Sequence, residues 1–364
     1  MKFIDLDTQY NKIESNLKRR FEAVFNHKQF INGPEVAALE VALAEYVGVN
    51  HCITTANGSD SLFLALMALG IGNGDEVITS PFTYVATAEM IQLIGATPVF
   101  VDIDDDTFNI DPSKIESKIN RNTKAIMPVS IFGQCADFNK ILSVAKKHQL
   151  FVIEDGAQSF GASLGDRKSC SFGDIGCTSF FPTKPLGCYG DGGAIFTNDK
   201  SIDSLLRSLK NHGQTSKNTF THLGINSRLD SIQAAVLLEK IQTFNQEIEL
   251  RQLNANRYSS LLSFNEQQLQ VPIVINDGRS VWAQYTIKID NRNQIMTNLK
   301  RENVPYAIYY EKPLYHYSPY NRAKDKADCP VTEKVCSRVL SLPIHPWLTE
   351  KDQQKIVDAI HSAI

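Results

Sequence analysis

Three groups of residues in this chain have the types and spacing to work on one ligand. Lys184 lies in the run 177–187, Cys-Thr-Ser-Phe-Phe-Pro-Thr-Lys-Pro-Leu-Gly, ahead of glycines at 190, 192 and 193. An ammonium held against closely approaching backbone past a strand end can hold a carbonyl cofactor. Taken singly, it reads equally as a solvated surface charge. Asp155 closes the apolar run Val152-Ile153-Glu154-Asp155. A carboxylate at a buried strand end is costly unless a cation answers it, and a pyridinium nitrogen is such a cation. A helix cap or a structural ion pair is the alternative. Gly58-Ser59-Asp60 opens an apolar helical stretch, where unpaired amides and the helix dipole suit a phosphate. Ser59 or Asp60 acting as a plain N-cap accounts for the same residues.

These residues need elements that bring them together. From residue 50 onward, short β-rich runs alternate with helical ones. Strands are expected at 51–56, within 72–80 after a turn, and at 97–104, 123–132, 150–155, 177–181 and 192–198, and helices at 59–70, 84–95, 112–120, 137–149 and 200–211. Such alternation implies a parallel sheet with right-handed crossovers. Ligands of such sheets sit outside the carboxyl ends of the strands. Asp155, Lys184 and Gly58-Ser59 all follow strand ends, so they fall on one rim. After Arg228 the texture changes to a long helical run over 229–262, bent near 244. Short strands at 280–289, a helix near 291–303, a Pro- and Tyr-rich stretch at 305–320 and a last helix from about 349 follow. The expected fold is α/β: a large mixed, mostly parallel sheet domain at 1–240 and a smaller α+β domain at 241–364.

Composition excludes other classes. The chain has 364 residues, 43% hydrophobic and 21% charged, enough for a large core. Lys and Arg number 37 against 40 Asp and Glu, a balance that argues against nucleic acid as a partner. No apolar run approaches the roughly 18 residues needed to span a bilayer, and residues 1–14 lack a signal-peptide core. Seven scattered cysteines without metal spacing read as free thiols of a cytoplasmic protein. The glycines at 187–193 do not spell G-x-G-x-x-G, so a dinucleotide site is poorly supported.

Five segments, 56–62, 81–89, 152–162, 179–199 and 224–235, closely resemble the DegT/DnrJ/EryC1/StrS family. Its members are pyridoxal-phosphate-dependent nucleotide-sugar aminotransferases of fold type I, the aspartate aminotransferase-like fold. The stretches 128–138 and 340–348 resemble in particular the enzymes that aminate UDP-2-acetamido-2-deoxy-3-oxo-glucuronate, with L-glutamate as donor, for O-antigen sugars. The resemblance implies that Lys184 forms the Schiff base with pyridoxal 5′-phosphate and shuttles the proton. It assigns Asp155 to the pyridine nitrogen, Gln158 to the neighbourhood of the 3-oxygen, and Phe82 to the ring face, where a core phenylalanine is the alternative. Gly58, Ser59 and Ser179 would hold the phosphate. Asn226 would reach it from a second subunit, which implies a homodimer.

A histidine at position 184 marks dehydratases in the family, so the lysine implies transamination. Arg228 is expected to meet a substrate carboxylate, with an ion pair at the start of the long helix as the alternative. Tyr309 and Tyr310 fall where the family usually reads His-Tyr, so Tyr309 departs from the pattern and leaves the sugar open. His212 and His316 could line the sugar site or be ordinary surface or satisfied histidines. Relatives acting on other keto sugars, or a binder that keeps the fold without turnover, are the competing functions.

Overall fold

A computed structural model describes residues 1–263, 268–321 and 327–363. Two helices, α1 (Leu6–His27) and α2 (Pro34–Val47), precede the first strand. The main sheet then uses β1 (His51–Thr55), β2 (Glu76–Thr79), β3 (Thr97–Phe100), β4 (Thr123–Ile126), β5 (Phe151–Asp155), β6 (Ile175–Ser179) and β7 (Gly193–Thr197). Their spatial order is β1-β7-β6-β5-β4-β2-β3. The run from β6 through β5, β4 and β2 to β3 is parallel, as the alternation of strands and helices requires. Only β7 runs against its neighbours, β1 and β6. It reverses directly out of the Lys184 loop, with no crossover helix between, so the sheet is mixed and mostly parallel.

Both faces of this sheet are buried, which is why its strands read as continuous apolar runs. On one face Cys52, Ile78, Ile126, Val152 and Phe196 pack beneath α1, α2, α5 (Phe138–His148) and the first half of α7 (Ser231–Leu262). On the other, Ile53, Val77, Ala125, Ile153 and Ile195 pack beneath α3 (Gly58–Ala68), α4 (Ala86–Leu93) and α6 (Lys200–Leu209).

Helix α7 continues without a break through position 244, where a bend is expected. It serves two cores. Ala234, Leu237, Phe244 and Ile248 belong to the first, and Ala255, Tyr258 and Leu262 to the second. That second core lies on an antiparallel sheet of β8 (Leu269–Gln270), β9 (Tyr285–Ile289) and β10 (Val339–Leu342). Helices α8 (Arg292–Arg301) and α10 (Glu350–His361) pack on it, while α9 (Pro330–Arg338) leads into β10. The expected 280–289 strand begins only at Tyr285, because Trp282 adopts a left-handed φ of 51°.

All seven cysteines are free and buried. No described helix is long and apolar enough to cross a membrane.

One glycine on β6 is required by close approach. A Cβ on Gly176 would lie 2.6 Å from Cys170 Cα and 2.7 Å from its carbonyl carbon. Backbone cannot yield as a side chain can, so Gly176→Ala is expected to destabilise by about 2 kcal/mol. A urea unfolding midpoint lowered accordingly supports this packing, and an unchanged midpoint contradicts it.

Candidate active site

The parallel strands place the expected residues on one rim. Asp155 ends β5 and pairs in register with Cys177 of the adjacent β6, which ends at Ser179. The chain turns beyond it, and the Lys184 amide donates to the Phe181 carbonyl at 2.8 Å. Antiparallel β1 and β7 register Thr55 against Gly193, bringing the start of α3 beside them. Gly58 packs so closely on β6 that a Cβ there would lie 2.7 Å from Ser179 Cβ.

Lys184, half-buried, and Asp155, buried, are near enough on this rim to act on each other electrostatically. Burial lowers the pKa of Lys184 against the attraction of Asp155. Burial likewise raises the pKa of Asp155, against donors from Thr87 and Ala157 and the charge of Lys184. Thr87 Oγ1 donates to Asp155 Oδ2 at 2.8 Å, and the Ala157 amide to Oδ1 at 3.2 Å. Asp155 is 5% exposed, so its carboxylate depends on these few partners.

The helix start is capped by Asn57, whose side chain accepts from the Asp60 amide at 2.8 Å. Neither Ser59 nor Asp60 is therefore the cap. Gly58 and Ser59 occupy the first two helical positions, whose amides have no partner within the helix. With the Ser179 hydroxyl facing Gly58, these amides make an end of the kind that suits an anion.

Gln158 is fixed at both ends of its amide. Oε1 accepts from the Phe132 amide at 3.0 Å, and Nε2 donates to the Tyr310 hydroxyl at 2.5 Å. Burial holds the Tyr310 hydroxyl well above the usual tyrosine range. The structure thus joins Tyr310 to the Asp155 side of the site. Among the described residues, no group of acidic, cysteine and histidine side chains is placed to hold a metal.

This arrangement agrees with what the chain is similar to. The DegT/DnrJ/EryC1/StrS aminotransferase family matches over residues 11–361. The chain belongs to this family. It is 49% identical over 348 residues to the UDP-2-acetamido-2-deoxy-3-oxo-D-glucuronate aminotransferase of Pseudomonas aeruginosa, covering 96% of each chain. A DegT DnrJ EryC1 StrS aminotransferase from Brucella abortus superimposes with a TM-score of 0.95 at 43% identity, covering 100% of this chain and 99% of that one. NtdA from Bacillus subtilis, solved with bound cofactor PMP, gives 0.91 at 30% identity, over 99% and 83% of the two chains. The family fold is the type I aminotransferase fold.

Within that family frame, Phe82 needs correction. It is 1% exposed, edge-on to Phe132 at 5.7 Å and to Tyr310 at 5.2 Å, and has no free face for a ligand. It is a core phenylalanine. Tyr84, two residues on, is 63% exposed and near enough to Tyr310 to bear on its ionisation. It is the aromatic of this loop with an open face. Thr87 was also outside the expected set, although a hydroxyl in the first turn of the helix that follows a parallel strand is a usable signal.

Asn226 and Arg228 lie on a segment pinned to the end of β1, where Ser227 Oγ accepts from the Ala56 amide at 3.0 Å. Asn226 is exposed and Arg228 half-buried. Among the described residues Arg228 forms no ion pair. Tyr309 is half-buried beside Phe3 at 6.5 Å. His316 pairs with Glu333 at 3.1 Å, and His212 is exposed in a left-handed turn, φ 60°.

The Lys184–Asp155 coupling has a signed consequence. Asp155→Asn removes the attraction that opposes burial, so the pKa of Lys184 should fall further. In cofactor-free protein, the pH of half-maximal labelling of Lys184 by an amine reagent, read by peptide mass spectrometry, should move down. An upward move or none contradicts the coupling.

Proposed function

We propose that this chain is a pyridoxal-5′-phosphate-dependent aminotransferase that moves an amino group from L-glutamate to C3 of UDP-2-acetamido-2-deoxy-3-oxo-glucuronate. It would do so in the cytoplasm, as a homodimer, for O-antigen or another surface polysaccharide. The observation that carries this reading is the strand register that brings Asp155, the Lys184 loop after Ser179 and the α3 start to one rim. The donor set fits the cofactor: an amine for its carbonyl, a buried carboxylate for its ring nitrogen, and helix amides with a serine hydroxyl for its phosphate. When bound, the cofactor supplies the electron sink that lets an amino group leave one carbon for another.

The chain's own groups supply orientation and proton movement. Burial favours the neutral amine of Lys184, whose Nζ can then take a proton from the carbon bearing nitrogen and return it. Asp155, oriented by Thr87 and Ala157, stays charged when a cation lies beside it. Gln158, held by Phe132 and Tyr310, fixes one side of the ring site. Tyr309 and Tyr310 border the sugar, and Arg228 has a free guanidinium for a carboxylate, in the bidentate geometry such pairs favour. The substrate in the name of the Pseudomonas relative supports a uronate. In such a homodimer the exposed Asn226 would reach the second subunit's phosphate site.

Purified protein should be yellow and lose that colour on adding L-glutamate. In the amino-loaded form it should then restore the colour with the 3-oxo-glucuronate nucleotide in preference to neutral 3-keto or 4-keto sugars. Arg228→Ala should weaken the uronate reaction about 100-fold, as for a lost charge-assisted pair of about 3 kcal/mol. A colourless protein sinks the enzyme reading in favour of a binder. A preference for neutral sugars, indifferent to Arg228→Ala, sinks only the uronate.

A further inference from the structure

Glu154 is fully buried (0% exposed) one residue before Asp155, and nothing in the proposed chemistry uses it. Strand alternation turns it to the opposite sheet face from Asp155, the face of Val152. There its carboxylate meets only donors. Ser169 Oγ donates to Oε1 at 2.6 Å and Ser130 Oγ at 3.1 Å, while the Cys170 amide donates to Oε2 at 2.8 Å. The Phe172 amide donates as well. With Glu154 ionised, Ser169 spends its proton on it, and Ser159 then donates in the 2.6 Å contact between Ser159 and Ser169. A directed chain, Ser159 to Ser169 to Glu154, results. Glycines make room for it: Gly176 admits the Cys170 backbone over the sheet, and a Cβ on Gly156 would lie 2.6 Å from Cys170 Sγ.

The loops tied to this carboxylate are the ones that hold Gln158. Ser159 is the next residue after Gln158. Ser130 begins the turn whose Phe132 amide, at an unfavourable φ of 56°, donates to Gln158 Oε1. Ser130 also donates its amide to the Asp155 carbonyl at 3.0 Å. Two separate segments that orient one amide thus meet on one buried carboxylate behind it. We propose that Glu154 is a positioning residue, whose carboxylate locks the Ser130–Phe132 turn and the Gln158–Ser159 turn together and so sets the Gln158 amide for the cofactor ring. Burial pushes the Glu154 carboxyl up to about 7, and the converging donors hold it from going higher. A plain core position would be better served by an apolar side chain.

This assignment rests on the pyridoxal-phosphate reading, and the test separates the two. Glu154→Ala, Glu154→Gln and Ser169→Ala are compared with wild type by unfolding midpoint without cofactor, by pyridoxal-phosphate titration, and by the position of the bound visible band. Glutamine can keep its oxygen on the two amides and turn its NH2 to the hydroxyls, which can reverse direction, so Glu154→Gln should stay within about threefold of wild-type affinity. Glu154→Ala should bind about tenfold more weakly with a displaced band. Ser169→Ala, which keeps Glu154 but cuts the chain to Ser159, should displace the band at a near-normal unfolding midpoint. Wild-type affinity and band in Glu154→Ala overturn the proposal. If that variant does not fold, an undisplaced band in Ser169→Ala overturns it. A wild type that binds no cofactor overturns the cofactor reading, and this assignment with it.

Discussion

The structure depends on bringing a half-buried Lys184 and a buried Asp155 to one rim, within reach of each other's charge. Burial drives each toward its neutral form, and each partly restrains the other. An amine that must gain and lose protons is helped by a position that lowers its pKa. A carboxylate in the same cleft needs fixed donors, and Thr87 and Ala157 provide them. Much of the surrounding architecture can be understood as support for this pair.

Parallel β5 and β6 carry the two charges to the same rim, and the mixed topology brings the α3 start to them. Because β7 returns antiparallel directly after the Lys184 loop, Gly193 comes against Thr55 and the Asn57 cap. The start of α3 and the Ser179 end of β6 are therefore locked together by sheet register. Helix α7 extends the constraint, since the same unbroken helix packs in the core beneath the sheet and in the second core. Rigid links of this kind keep a site assembled from distant segments in one geometry.

Features set by neighbouring residues were legible in the sequence. Asp155 at the end of an apolar strand, Lys184 before clustered glycines and Gly58-Ser59 at a helix start were all visible, because strand ends and helix starts have local signatures. Features set by tertiary contact were not. Phe82 and Tyr84 share one irregular loop, and only packing against Phe108, Phe132 and Tyr310 decides which ring is buried. The role of Glu154 depends on Ser130 and Ser169, 24 and 15 residues away, brought in by loops over the sheet. The antiparallel β7 was hidden because a strand's direction leaves no mark on its composition. Asn57 was missed as the α3 cap because Ser59 and Asp60, also good caps, follow it.

Whether Lys184 is the amine that engages the cofactor is tested by borohydride reduction of the pyridoxal-phosphate-loaded protein, followed by digestion and mass spectrometry. A single phosphopyridoxyl mass increment is expected on Lys184, absent after prior treatment with L-glutamate. An increment on another lysine, or none on a yellow protein, would contradict it.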